Sequence, residues 1–111
     1  MMIEDRIQVI QSTLEQAQNI PSNRKAELLK LLSDLETEVS KLAETHQEQA
    51  SSITRFADAS TAEISRTQKN PQLSVTALHG LRLSIQGLEE SHPTVVATVG
   101  RFAAALSNMG L

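Results

Sequence analysis

The sequence predicts an all-α protein, an elongated antiparallel bundle of four helices in which the second helix is unusually long. Apolar residues recur at alternating steps of four and three in each segment, which places them on one stripe of an α-helix. Proline-containing connections separate these segments. A chain of 111 residues suits one domain. Because a helix with one apolar stripe must bury it against another helix, the pattern indicates a coiled-coil-like bundle.

Helix one is predicted over residues 2–18. Its stripe consists of Ile3, Ile7, Ile10, Leu14 and Ala17. Pro21 ends this segment because proline disfavours the helical conformation of the residue before it, and Ser22 is a good N-cap for the next helix. Such a short connection brings the second helix back antiparallel to the first.

Helix two is predicted over residues 22–69, a stretch that contains neither glycine nor proline. A continuous helix of this length would be about 70 Å long. Its apolar row begins with Leu28, Leu32, Leu35, Val39 and Leu42 and passes through His46. The alternative is a break in the polar patch from Glu44 to Ser52, which would give five helices.

Helix three is predicted over residues 72–90 and helix four over residues 94–109. Gly80 and Gly87 lie seven residues apart on one face of helix three. They are either tolerated surface glycines or positions where another helix approaches closely.

Helix four is apolar over most of its circumference, with Phe102 at the centre of its stripe. A helix of this kind is normally covered on more than one side. Pro93 suits its first turn, and Gly110 is placed to end it in a left-handed cap.

The length of helix two predicts a homodimer. The other three helices cannot cover it evenly, so part of the leucine row would be exposed, and an exposed apolar patch usually marks an interface. Two copies related by a two-fold axis would complete a four-helix bundle. The predicted interface consists of Leu28, Leu32, Leu35, Val39, Leu42 and His46, with His46 meeting its twin across the axis. A monomer with a broken helix two would also hide the row.

The composition narrows the function classes. A net charge of −3 argues against a nucleic-acid partner, and the absence of cysteine excludes disulfides and thiolate chemistry. No segment approaches the ~20 apolar residues of a membrane span. The N-terminus does not read as a signal peptide, so we expect a cytoplasmic protein of a bacterial-type cell. Phe56 and Phe102 are the only aromatic residues, which disfavours a small-molecule enzyme.

No catalytic, cofactor-binding or metal-binding residue is predicted. The three imidazoles are His46, His79 and His92, and the paired Glu-x-x-His motifs of di-iron bundles do not occur. His92 precedes a proline at a helix start, where a structural role is expected.

The C-terminal region resembles a family of short bacterial all-helical proteins described as a domain of unknown function. The resemblance lies in Leu88-Glu89-Glu90-Ser91-His92-Pro93 and in the ending Leu106-Ser107-Asn108-Met109-Gly110-Leu111. Members of that family open with an amphipathic hairpin and end with an E-x-S-H-P turn, a last helix and N-M-G. The resemblance implies the helical fold and no activity. It also implies that the His-Pro turn and the Asn-Met-Gly end form a functional or packing unit, and we favour packing. Together with Phe102 from the stripe of helix four, the predicted packing and turn residues are Ser91, His92, Pro93, Phe102, Met109 and Gly110.

These observations favour a non-enzymatic, self-associating helical protein that acts as a protein–protein interaction or structural module. One alternative is a coiled-coil adaptor or regulator in bacterial signalling. Another is a bundle that binds a metal or ligand in its core.

Overall fold

The computed structural model describes residues 3–110, and these residues form five helices rather than the four expected. The helices are α1 (Ile3–Gln16), α2 (Ser22–Ala43), α3 (Gln47–Ile64), α4 (Pro71–Leu83) and α5 (Pro93–Gly110). The all-α prediction is confirmed. The predicted first residue of helix one, Met2, lies outside the described residues. Within the described range, no helix is both long enough and apolar enough to cross a membrane.

The prediction of one helix over residues 22–69 is wrong, because the chain turns between α2 and α3. The backbone N–H groups of Thr45 and His46 both donate to the carbonyl oxygen of Leu42, at N···O distances of 3.1 and 2.8 Å. His46 itself leaves the helical conformation, with φ −135° and ψ 65°. The polar patch therefore holds the break, and the alternative of five helices is confirmed.

The prediction of an elongated bundle is also wrong, because the chain folds back at this break. The molecule measures 37 × 24 × 24 Å and has a radius of gyration of 12.9 Å. A compact domain of this length is expected to have a radius of gyration of about 13 Å. Because α3 folds back against α2, no helix extends to the ~70 Å that residues 22–69 would span.

The leucine row of α2 is buried inside a single chain. The exposed fractions of Leu28, Leu32, Leu35, Val39 and Leu42 lie between 0 and 2%. Helices α1, α3 and α5 all pack against α2. The reason for predicting a dimer through this row, an uncovered apolar surface, therefore no longer holds. The oligomeric state itself stays a prediction.

Helix α3 lies at the centre of the molecule and contacts each of the other four helices. Its buried side is built largely from small residues, among them Ala50, Ala57, Ser60 and Thr61. Small side chains allow neighbouring helices to approach closely. Phe102 of α5 is completely buried in the otherwise aliphatic core.

The two glycines predicted to share a helical face have different roles. Helix α4 ends at Leu83, so Gly87 lies in the following turn, where it adopts a φ of +90° that favours glycine. Gly80 lies within α4, and a Cβ atom at this position would overlap the ring of Phe56 on α3. The predicted close approach is therefore present at Gly80, where the neighbour is the side chain of Phe56. Gly80 and Gly87 do not share a helical face, because Gly87 lies outside α4.

Candidate functional site: two histidine turns and an open helical face

The α2–α3 turn and the α4–α5 turn have the same sequence pattern and the same hydrogen bonds. Leu-x-Glu-Thr/Ser-His occupies residues 42–46 and again residues 88–92, a spacing of 46 residues. The His46 N–H donates to the Leu42 carbonyl and the His92 N–H to the Leu88 carbonyl, each at 2.8 Å. The hydroxyl of the preceding Thr45 or Ser91 lies 2.7 or 2.9 Å from the Nδ1 atom of the histidine.

The repeat extends into the helices on both sides of the turn. After the turns, Arg-Phe-Ala-x-Ala occupies residues 55–59 and 101–105. Before them, Leu32, Leu35 and Val39 correspond to Leu78, Leu81 and Ile85. The hairpins α2–α3 and α4–α5 are therefore two versions of one unit. This signal is present in the sequence, but reading each helix separately missed it.

The packing of the two hairpins follows the repeat. Helix α2 contacts α5, and the equivalent helix α4 contacts α3, whereas no contact joins α2 to α4 in the described part of the chain. The ring centroids of His46 and His92 are 4.8 Å apart, with an edge-to-face angle of 77°. Because each of these residues contacts its own equivalent, the pair lies near an approximate internal two-fold axis. His46 thus meets its counterpart within the chain.

The histidine pair joins the two turns. Both rings are half-buried, and the Nδ1 atom of each faces a neighbouring hydroxyl. Among residues 3–110, no group of three His, Cys, Asp or Glu side chains could hold a metal ion. His79, the third imidazole, is exposed on α4.

The other residues of the predicted C-terminal packing unit lie along α5. Pro93 is its exposed first residue, Phe102 is completely buried and Met109 packs half-buried against the core. Helix α5 ends at Gly110.

Helix α1 breaks the internal symmetry, because it covers one hairpin and has no counterpart on the other among residues 3–110. The Arg6 guanidinium of α1 forms an ion pair with the Asp58 carboxylate of α3 at 3.0 Å. Leu29, Ser33 and Glu36 of α2 line the seam with α1. Ser51 of α3 lies beside the N-terminal end of α1.

No helix in the described part of the chain covers the equivalent face of the second hairpin. We define the open face as the exposed residues of α4 and α5 that correspond to this α1-binding surface. They are Val75, His79, Arg82, Ala97, Gly100 and Ala104, which lie 46 positions after Leu29, Ser33, Glu36, Ser51, Thr54 and Asp58. The loss of cover is seen at Gly100, which is exposed, whereas its equivalent Thr54 in the first hairpin is only 1% exposed. Val75 on α4 is 54% exposed. A depression of about 510 Å³ lies beside Val75.

The open face has an apolar floor and basic borders. Ala97, Gly100 and Ala104 are spaced three and four residues apart along α5, so they form one strip of small residues. A Cβ atom at Gly100 would meet nothing within 4 Å. Arg101 follows Gly100 on α5 and Arg82 lies on α4; both are exposed, and neither forms an ion pair with any residue in the range 3–110.

Comparison with known proteins adds no assignment to this geometry. No family model matches the chain, and neither curated proteins nor solved structures gave a match. The resemblance of the C-terminal turn to a bacterial family therefore stays a prediction, and the candidate site consists of the open face on α4 and α5 and the histidine pair that joins the α2–α3 turn to the α4–α5 turn.

Proposed function

We propose that this protein is a non-enzymatic protein-interaction module whose open face binds another protein. One observation supports the proposal most directly. The chain provides a helix, α1, to cover the face of its first hairpin, but the described residues provide none for the equivalent face of its second hairpin. In the second hairpin this surface remains available to a partner.

The exposed side chains of the open face support the same conclusion. Val75 on α4 is a large apolar residue that is more than half exposed, and the equivalent side of α5 carries exposed alanine and glycine. Apolar surfaces bordered by charged residues mark protein interaction sites. Helix α5 is apolar on both its inner and its outer side, and such a helix is normally covered on both.

The leucine row of α2 is a weaker candidate for an interface. Its side chains are at most 2% exposed, so association through them would require the separation of α2 from its neighbours. The open face needs no such rearrangement. The proposal therefore assigns partner binding, including any self-association, to α4 and α5.

Site-specific photo-crosslinking in cells tests the proposal. A benzophenone amino acid at Ala97 is expected to give a discrete adduct, because this position lies on the floor of the open face. The matched control places the same amino acid at Ala62, an exposed position of α3, and should not give that adduct. In a Val75→Glu background the adduct should weaken, while the melting temperature stays close to that of the parent protein. The absence of an adduct at Ala97, or the same adduct from both positions, would contradict the proposal.

A further inference from the structure

We infer that the occupant of the open face is an acidic amphipathic helix of a partner protein, bound as α1 is bound to α2 and α3. This inference rests on the proposed interaction function and specifies the kind of partner. Three features of the molecule carry it: the fit of α1 to the equivalent surface, the small residues of the floor, and the charge of the borders.

The fit of α1 shows what this kind of surface accepts. Ile7, Ile10 and Leu14 of α1 are 3, 0 and 0% exposed, so one apolar row of α1 is completely covered. They are spaced three and four residues apart, as expected of one side of a helix. The surface opposite them consists of α2 and α3, whose equivalents α4 and α5 form the open face. A helix with the same spacing of apolar residues therefore fits the open face.

The floor of the open face admits a helix at short distance. Ala97, Gly100 and Ala104 stand where the first hairpin has Ser51, Thr54 and Asp58, so every side chain is smaller in the second hairpin. The distance between packed helices depends on the side chains at the contact. A partner helix can thus lie close to the α5 backbone and bury Val75 along its edge.

The borders of the open face select an acidic helix. Arg82 and Arg101 supply two positive charges that form no ion pair within residues 3–110, and complementary charges favour specific association. Ala104 replaces the aspartate that pairs with Arg6 of α1, so a basic residue on the partner would find no carboxylate there. A second copy placed face to face would bring like charges together. The charge pattern therefore favours a different protein over a second copy of this chain.

Fluorescence anisotropy with a peptide of residues 1–18 tests the inference. In this fluorescein-labelled, C-terminally amidated peptide Arg6 is replaced by Glu, because Ala104 offers no carboxylate to a basic residue there; the peptide is otherwise the amphipathic, acidic α1 sequence, and the full-length protein is the receptor. We expect saturable binding that a scrambled peptide of the same composition does not show. The double variant Gly100→Gln/Ala104→Gln should weaken binding at least about tenfold, because the added side chains fill the floor. The matched control Ala59→Gln/Ala62→Gln alters exposed positions of α3 and should bind as the parent does.

A charge variant tests the acidic character of the occupant separately. Arg82→Glu/Arg101→Glu should weaken peptide binding about tenfold at low salt and less at high salt, since the interaction is screened. The control Lys30→Glu/Arg55→Glu makes the same change of charge on the first hairpin. Binding that depends on Lys30 and Arg55 instead would show the peptide exchanging with the protein's own α1, and would overturn the inference.

Two further outcomes separate this inference from the proposed function. A molecular mass that doubles with concentration, and does not double in Gly100→Gln/Ala104→Gln, would show that a second copy covers the open face. Failure of the peptide to bind, together with an intact crosslink at Ala97, would show a partner of another kind. Either result overturns the acidic helix and leaves the interaction function standing. Loss of both the binding and the crosslink would overturn both.

Discussion

Replacement of Leu32 by Glu distinguishes a buried core position from an intermolecular contact. Leu32 is 2% exposed and lies at the seam between α2 and α1, beside Ile7 and Gln11. Loss of a buried leucine side chain costs roughly 2–5 kcal/mol, and a carboxylate buried there without a partner adds to this cost. The whole free energy of unfolding of such a domain is about 5–15 kcal/mol. We therefore expect Leu32→Glu to destabilise the protein by at least about 4 kcal/mol.

The assay combines urea unfolding, followed by far-UV circular dichroism, with light scattering on the same samples. A loss of about 4 kcal/mol corresponds to a fall in melting temperature of roughly 15–30 °C for a domain of this size. The control is Leu83→Glu, since Leu83 is 46% exposed on α4 and a charge there stays in water. Its free energy of unfolding should change by less than about 0.5 kcal/mol. A Leu32→Glu protein that keeps its helicity and midpoint while its mass halves would refute our placement of this residue.

Further predictions concern the glycines and the histidine pair. Gly100→Ala should raise the free energy of unfolding by up to about 1 kcal/mol, measured by urea unfolding, because alanine favours a helix and nothing obstructs its Cβ atom. Gly80→Ala should raise the free energy of unfolding by less than Gly100→Ala does, or lower it, because the Cβ at Gly80 would meet the ring of Phe56. An equal increase in the free energy of unfolding at both glycines would contradict this contact. A double-mutant cycle of His46→Ala and His92→Ala should give a coupling of about 0.5–1.5 kcal/mol, and additive effects would show that the rings do not interact.

The helical segments and their buried sides follow from the spacing of apolar residues. The row from Leu28 to Leu42 was identified correctly as one side of a helix, and it is completely buried. The sequence does not predict which helices cover this row, because the spacing of apolar residues shows which side of a helix is apolar and not which element packs against it. The prediction of a dimer depends on a second helix too long for its neighbours to cover, and α2 and α3 are each short enough to be covered within one chain.

The break at residues 44–46 was difficult to predict because glycine and proline, the usual signals, are absent. Thr45 and His46 are compatible with a helix, and the turn forms because α3 gains contacts with the other four helices by folding back. The repeat contains the missing signal. Leu88 to His92 precedes Pro93 and therefore reads as a turn, and the same pattern at Leu42 to His46 predicts a turn there too. The open face cannot be identified without comparing the two copies of the repeat, because alanine and glycine on a helix surface are by themselves ordinary.

The short connection between α1 and α2 has a consequence for competition between helices. Five residues separate Gln16 from Ser22, and the Lys25 ammonium group donates to the Ala17 carbonyl at 2.8 Å, which holds this tether close to α2. A segment tethered this tightly has an effective concentration in the millimolar range. A free helix at micromolar concentration cannot compete with it for the first hairpin. Proteolytic cleavage of the tether would end that advantage, so a free helix at micromolar concentration could then compete with α1 for the first hairpin.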